Sequence, residues 1–214
     1  MEFVYLQPGN WFELKNMDND KKFPYDLGTL SAEILNQVKN RSTNLDFIDI
    51  HFGSKYKKKE IEDIVFYLDE EKFSLIQKMI ENETRHPIIT FHGTTSATIV
   101  ESILQKGYII PGTNKTVKVR NGTAYGAGIY TSPHLDKCLC YTQVDNSGYV
   151  YVLINLLFLG KFKLIPPNNS APSATIKNGT YSNGFNTHIV YGLEQLISAD
   201  SKRVMSVAVM KIKI

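Results

Sequence analysis

The stretch Tyr125-Gly126-Ala127-Gly128-Ile129-Tyr130 sets the tightest condition on the fold. Two glycines flank one small residue, and a tyrosine stands on either side. Glycine lets a backbone turn sharply and lets other groups approach it closely. Tyrosine adds a flat ring and one hydroxyl. The set reads either as a turn feeding a buried strand or as one wall against which a planar ligand is laid. It is not a Rossmann fingerprint, because Thr131 holds the place of the third glycine and no helix opens there. It is not a phosphate-binding P-loop, because no Gly-Lys-Ser/Thr follows. There is no HExxH, no serine nucleophile elbow and no metal spacing among the histidines, so no metal is expected. His51, His86 and His134 read as surface or structural groups.

The chain has 214 residues, of which 43% are hydrophobic and 21% charged, enough for one substantial core or one domain plus an appendage. A net charge of +3 without a concentrated basic face argues against a nucleic-acid binder and is compatible with an anionic small ligand. Cys138 and Cys140 are one residue apart, too close for a structural disulfide and half a metal site at best. A reduced intracellular setting, cytoplasmic or nuclear, is the simplest expectation. The N-terminus lacks the charged and apolar regions of a signal peptide, and the apolar run Tyr149 to Leu159 is too short to span a bilayer.

Along the chain, residues 1–27 form a polar lead-in without a clear period. Leu30, Ile34, Leu35 and Val38 recur at helical spacing, and Ile48, Ile50 and Phe52 alternate as in a strand. Lys57-Lys58-Lys59 reads as a solvated helix start. Ile61, Ile64, Val65 and Leu68 predict one helix, and Phe73, Ile76, Met79 and Ile80 another. Residues 1–86 are therefore expected to be a mainly helical N-terminal region, a cap or partner-binding segment without a chemical constellation. From Pro87 the pattern changes. Ile88-Ile89-Thr90-Phe91 is a short strand that delivers His92-Gly93-Thr94. A helix follows, capped by Thr95 or Ser96 and closed by Gly107. A group at a strand end just before a helix is well placed to face a ligand. Residues 110–123 read as a loop, Ser132 to Tyr141 as a turn and short helix, and residues 166–183 as another loop. Tyr149 to Leu159, His188 to Tyr191 and Val204 to Ile212 read as buried strands.

Phe91-His92-Gly93-Thr94, then the Tyr125–Tyr130 stretch, then Tyr141, stand in order along residues 87–214. This ordered set resembles the catalytic domain of the poly(ADP-ribose) polymerase family, the diphtheria-toxin-like ADP-ribosyltransferases with a His-Tyr-Glu triad. The resemblance implies an α+β ADP-ribosyltransferase fold, two packed sheets with an NAD cleft, flanking helices and the helical N-terminal segment outside it. It implies NAD as substrate. His92 would contact the adenosine ribose hydroxyl, and the Gly93 backbone would bond the nicotinamide amide. Tyr130 and Tyr141 would sandwich the nicotinamide ring, as aromatic faces stack planar heterocycles. The implied NAD-binding set is His92, Gly93, Thr94, Tyr125, Gly128, Tyr130, Cys138 and Tyr141. Residues 107–124 would be the loop over the dinucleotide, with Lys115, Lys118 or Arg120 either facing the pyrophosphate or simply solvated.

Three departures from the family pattern bear on activity. Thr187 stands where the third triad residue, a glutamate, precedes the strand, so the implied catalytic set is His92, Tyr130 and Thr187. A neutral threonine cannot act as a carboxylate base, which argues against polymer growth. Cys138 replaces a serine that often bonds nicotinamide, and Ala127 replaces a lysine. Glu194 reads as a surface residue on the far side of the strand. The implied function is transfer of one ADP-ribose from NAD, with release of nicotinamide, to a protein Asp or Glu or to a terminal phosphate of nucleic acid. The rival is an inactive NAD-binding pseudoenzyme or scaffold, and simple NAD hydrolysis is a third possibility. No membrane partner is expected.

Overall fold

Antiparallel pairing dominates the computed structural model, which describes residues 60–83, 87–110, 125–166, 176–190 and 195–214. Strands β1 (Glu60–Phe66), β10 (Val204–Lys213), β4 (Tyr149–Leu157) and β2 (Ile88–Gly93) form one sheet, in that order. Strands β3 (Ile129–Thr131), β9 (Gln195–Ser198), β8 (Thr187–Val190) and β5 (Phe162–Ile165) form a second, in which β5 runs parallel to β8. With helices α1 (Glu70–Asn82), α2 (Ala97–Lys106) and α3 (Leu135–Leu139), this is an α+β fold.

The run of β4 is apolar save for Asn155 because both of its faces are covered. Val150, Val152, Ile154 and Leu156 join a cluster with Phe73 and Ile76 of α1 and Leu135 and Leu139 of α3. Leu153 and Leu157 face the other way, into a cluster with Ile129, Ile189 and Leu196 of the second sheet and Val100 of α2. A third cluster, built on Tyr125, Tyr181, Val190 and Ile197 with Tyr130 against it, lies on the opposite face of the second sheet. The sheets are joined where β2 meets β3, by a bridge in which Phe91 N donates to Ser132 O at 2.7 Å and Ser132 N donates back to Phe91 O at 3.1 Å.

The helix expected over Ile61 to Leu68 is a strand. β1 pairs with β10, and its register shifts between Ile61 and Asp63. That bulge inserts one residue, so Ile61 and Ile64 both turn inward, three positions apart, with Phe66 following. A bulged strand thus imitates helical spacing. Val65, counted in the helical stripe, is 42% exposed. Residues 60–83 therefore share their sheet and core with the residues after Pro87. The second expected helix is α1, capped by the Asp69 side chain accepting from Lys72 N at 2.8 Å. Ser96 rather than Thr95 caps α2, accepting from Ile99 N at 3.3 Å.

The loop expected over residues 166–183 contains a small hairpin, β6 (Ile176–Lys177) and β7 (Thr180–Tyr181). Asn178 and Gly179 form its turn with φ of 51° and 72°, the pairing that a two-residue hairpin favours. The expected helix near residues 30–38, the strand over 47–52, the lysine run 57–59, His51, His86, most of the 110–123 loop and Glu194 lie outside the described residues. No helix among the described residues is long and apolar enough to cross a membrane.

Candidate active site

The junction of the two sheets brings the first two sequence motifs together. Beside the Phe91–Ser132 bridge, His92 at the end of β2 reaches across to β3, and its Nδ1 lies 2.8 Å from the Tyr130 carbonyl oxygen. A carbonyl only accepts, so Nδ1 carries the proton and Nε2 is the acceptor of the neutral ring. Burial holds the imidazole pKa below its ordinary value, against the opposing pull of the Tyr130 carbonyl. The Tyr108 ring stands at 82° to the imidazole with centroids 5.2 Å apart.

Gly93, the next residue, is held close to α3. A Cβ added there would land on the Cys138 carbonyl oxygen, so only a hydrogen fits. Thr94 is buried, with its backbone N–H and its hydroxyl both directed to the Tyr151 carbonyl oxygen, at 3.3 and 3.4 Å. It anchors the strand end and offers no free hydroxyl.

The glycine turn is wrapped around the hydroxyl of Tyr130. That hydroxyl donates to Gly126 O at 2.6 Å and accepts from Tyr125 N at 3.2 Å. Burial, then the Tyr125 amide and the neighbouring Tyr141 and Tyr125 phenols, act on the Tyr130 hydroxyl, and the net effect raises its pKa. Its proton is therefore engaged by backbone, and the half-buried ring is what remains for stacking. Tyr125 is buried in the third cluster. Gly128 has φ of 153°, and a Cβ there would lie 2.5 Å from Ile197 Cγ2, 2.7 Å from the Tyr181 hydroxyl and 2.8 Å from Ser198 O. The Tyr181 hydroxyl bonds Ala127 O at 2.9 Å and Ile197 O at 3.3 Å, which ties hairpin β6–β7 to the same turn.

Two further expected contacts follow from α3. Tyr141, just beyond it, is 45% exposed and presents its ring to solvent; Gln195 Nε2 lies 3.5 Å from its hydroxyl. Cys138 is a core residue instead. Its thiol donates to Phe91 O at 3.1 Å, and burial pushes its pKa up. The thiol that was expected at nicotinamide is thus committed to the strand beneath His92.

Thr187 is not part of the junction. It is 0% exposed, and its hydroxyl donates to Leu159 O at 2.8 Å. Register explains why. Thr187 lies opposite Ser198, which lies opposite Ile129, while Tyr130 lies opposite Ile197, which lies opposite His188. Directly opposed residues share a face of a sheet. Thr187 therefore points inward with Ile129, and Tyr130 points to the other face with Ile197 and His188. His188 is itself buried, stacked on Tyr181 with centroids 3.7 Å apart and 8° between planes.

Sequence reasoning gave no place at the site to Tyr108, Tyr181 and Gln195, and read His188 only as the start of a buried strand. None of them belongs to a motif, because each acquires its place only by pairing across the fold. Among the described residues, no group of three or more His, Cys, Asp and Glu is placed to hold a metal ion.

Comparison with known proteins bears on the family of the chain. Tankyrase, a poly(ADP-ribose) polymerase of Caenorhabditis elegans, is 30% identical over 121 residues, which is 56% of this chain and 5% of that protein's length. The chain thus corresponds to a small part of that relative. The family model for the poly(ADP-ribose) polymerase catalytic domain matches residues 49–200, a span that contains β1, His92, the glycine turn, Tyr141 and Thr187. By that match, over most of its length, the chain belongs to the poly(ADP-ribose) polymerase catalytic domain family.

Proposed function

We propose that the chain transfers single ADP-ribose units from NAD to an acceptor side chain and releases nicotinamide. Poly(ADP-ribose) polymerase domains take NAD as substrate, and the observation that carries the reading here is the His92 Nδ1 contact with the Tyr130 carbonyl at 2.8 Å. It puts the two motifs on either side of one junction, with Gly93 next to His92 and the exposed Tyr141 nearby. In this reading His92 accepts a hydrogen bond from a ribose hydroxyl through Nε2. The Gly93 backbone bonds the nicotinamide carboxamide, and the rings of Tyr130 and Tyr141 hold the heterocycle between them. The bond between nicotinamide and ribose breaks with its electron pair leaving on the nicotinamide nitrogen. The carbon left behind develops oxocarbenium character and is captured by an acceptor carboxylate, favouring Asp or Glu. Positioning supplies much of the rate.

Single transfer rather than chain growth is favoured by Thr187. It is neutral, fully buried and already bonded to Leu159 O. The same observation favours a second reading, an NAD-binding module without turnover. Thr94, Cys138 and Thr187 are assigned structural roles in either case, while Tyr125 and Gly128 shape the turn that carries Tyr130. The catalytic unit is proposed to begin by residue 49, where the family match starts, and to include β1, which pairs with β10, with the residues before 49 as a regulatory or target-recognition segment.

Labelled NAD with the purified protein and acidic-peptide acceptors, beside calorimetry with NAD, separates the readings. Transfer expects label on acceptor carboxylates, lost in His92→Ala. The binding module expects NAD affinity without label. Free ADP-ribose alone would mark hydrolysis. Absence of NAD binding sinks both the transferase and the binding module.

A further inference from the structure

One polar residue interrupts the apolar run of β4. Asn155 is 0% exposed and lies in the layer between the sheets. Its Oδ1 accepts from the Tyr108 hydroxyl at 2.9 Å and from Ser206 Oγ at 2.7 Å, and its Nδ2 reaches Thr90 O at 3.5 Å. One amide thereby ties together β4, β10, β2 and the segment that follows α2. Such a cluster is tolerated because its members are satisfied, yet apolar residues of matching shape fill a core as well. Stability alone gives no reason for it.

Its geometric consequence is at His92. Tyr108 follows Gly107, whose N–H caps α2 by donating to Ile103 O, and its own hydroxyl is held by Asn155. A phenol is protonated at neutral pH and burial pushes its pKa up further, so it stays a donor to Asn155. The ring fixed in this way stands at 82° to the imidazole, 5.2 Å between centroids. The Tyr130 carbonyl holds the same imidazole at Nδ1. The ring of His92 is thus gripped at one nitrogen and along one flank.

We infer that Tyr108 is the positioning residue of His92: Asn155 and Ser206 pin the phenol, and the pinned ring keeps the imidazole in the orientation and Nδ1–H tautomer that present Nε2 to an NAD ribose hydroxyl. The NAD half of this rests on the function proposed above; the holding of the imidazole does not.

Tyr108→Phe removes the pin and keeps the ring, and Tyr108→Leu removes the ring. Nitrogen-15 spectra of the His92 ring, recorded without NAD, report its tautomer directly. Wild type shows the Nδ1–H form alone; Tyr108→Phe shows slight mixing and Tyr108→Leu more, short of a full mixture because the Tyr130 carbonyl still accepts from Nδ1. With NAD, KM rises about threefold in Tyr108→Phe and about tenfold in Tyr108→Leu, as loss of a fixed orientation requires, while nicotinamide alone binds as in wild type. A structural role alone lowers thermal stability and leaves the tautomer unchanged. Unchanged His92 spectra in the leucine variant overturn the inference. If that variant does not fold, Tyr108→Phe and Ser206→Ala decide it: mixing in both supports it, and wild-type spectra in both overturn it. A wild type that binds no NAD overturns the function, and the ring spectra still decide the positioning.

Discussion

At Gly93 a single missing methyl decides how closely β2 approaches α3. Gly93→Ala drives a Cβ into the Cys138 carbonyl, and backbone on both sides must move. Its expected cost is about 1–3 kcal/mol, as for other overpacked sites, read as a fall in thermal midpoint together with weakened NAD binding. Thr187 poses the opposite case. By the resemblance drawn from the sequence it takes the place of the family's glutamate, yet Thr187→Glu is not expected to create polymer-forming activity. It puts a carboxylate into a fully buried position on the inward face, facing the Leu159 carbonyl. An unpaired buried charge is destabilising by several kcal/mol. Urea unfolding of the variant checks this, and a stable variant that lengthens ADP-ribose chains would show that Thr187 is within reach of the substrate.

Among the elements, the hairpin β6–β7 is small but well connected. Its Tyr181 hydroxyl bonds the carbonyls of Ala127 and Ile197, and its ring stacks on His188. Tyr181→Phe keeps the stack and removes the hydroxyl, leaving Ala127 O without that donor. The expected loss is about 1 kcal/mol of stability. Because the lost bond clips the turn that encloses the Tyr130 hydroxyl, amide exchange at Tyr125 to Gly128 is expected to quicken, and exchange in β4 to stay as it was. Uniform quickening across both sheets would show that the clip is not local. The strand β1 teaches a related lesson. Its bulge puts Ile61 and Ile64 on one face at a spacing that a helix also produces, and only its pairing with β10 separates the two.

Across the whole molecule, among the described residues, the half-buried His92 and the buried His188 both contribute to the acid response. Burial lowers the pKa of both His92 and His188 in the folded chain. The unfolded chain binds protons to both at about pH 6.5, the ordinary histidine value, before the folded chain does. Above that pH both states are neutral there and the contribution to stability is intact. As pH falls through about 6.5 and below, the unfolded state gains protons first and folding weakens, until the folded values are reached. The urea midpoint is therefore expected to fall between pH 7.5 and 5.5, and His188→Phe to flatten that fall. A midpoint that rises over the same range would contradict the burial of both rings. NAD added at about a hundred times its dissociation constant adds roughly 2.7 kcal/mol to whatever remains, seen as a higher thermal midpoint.

The order of the motifs was legible in the sequence alone. Phe91-His92-Gly93-Thr94 at a strand end, the glycine turn and Tyr141 are local patterns whose geometry depends on near neighbours. The strands β4 and β10 were equally legible, since a strand covered on both faces reads as a nearly unbroken apolar run. Tertiary structure decided the rest. Sheet register turned Thr187 inward and Tyr130 outward, which depends on which residue of β9 each of them faces. Burial committed the Cys138 thiol to Phe91 O. Asn155, a visible polar break in an apolar run, found its partners in Tyr108 and Ser206 from distant parts of the chain. A linear pattern shows which groups are available; which of them meet is fixed by pairing across strands.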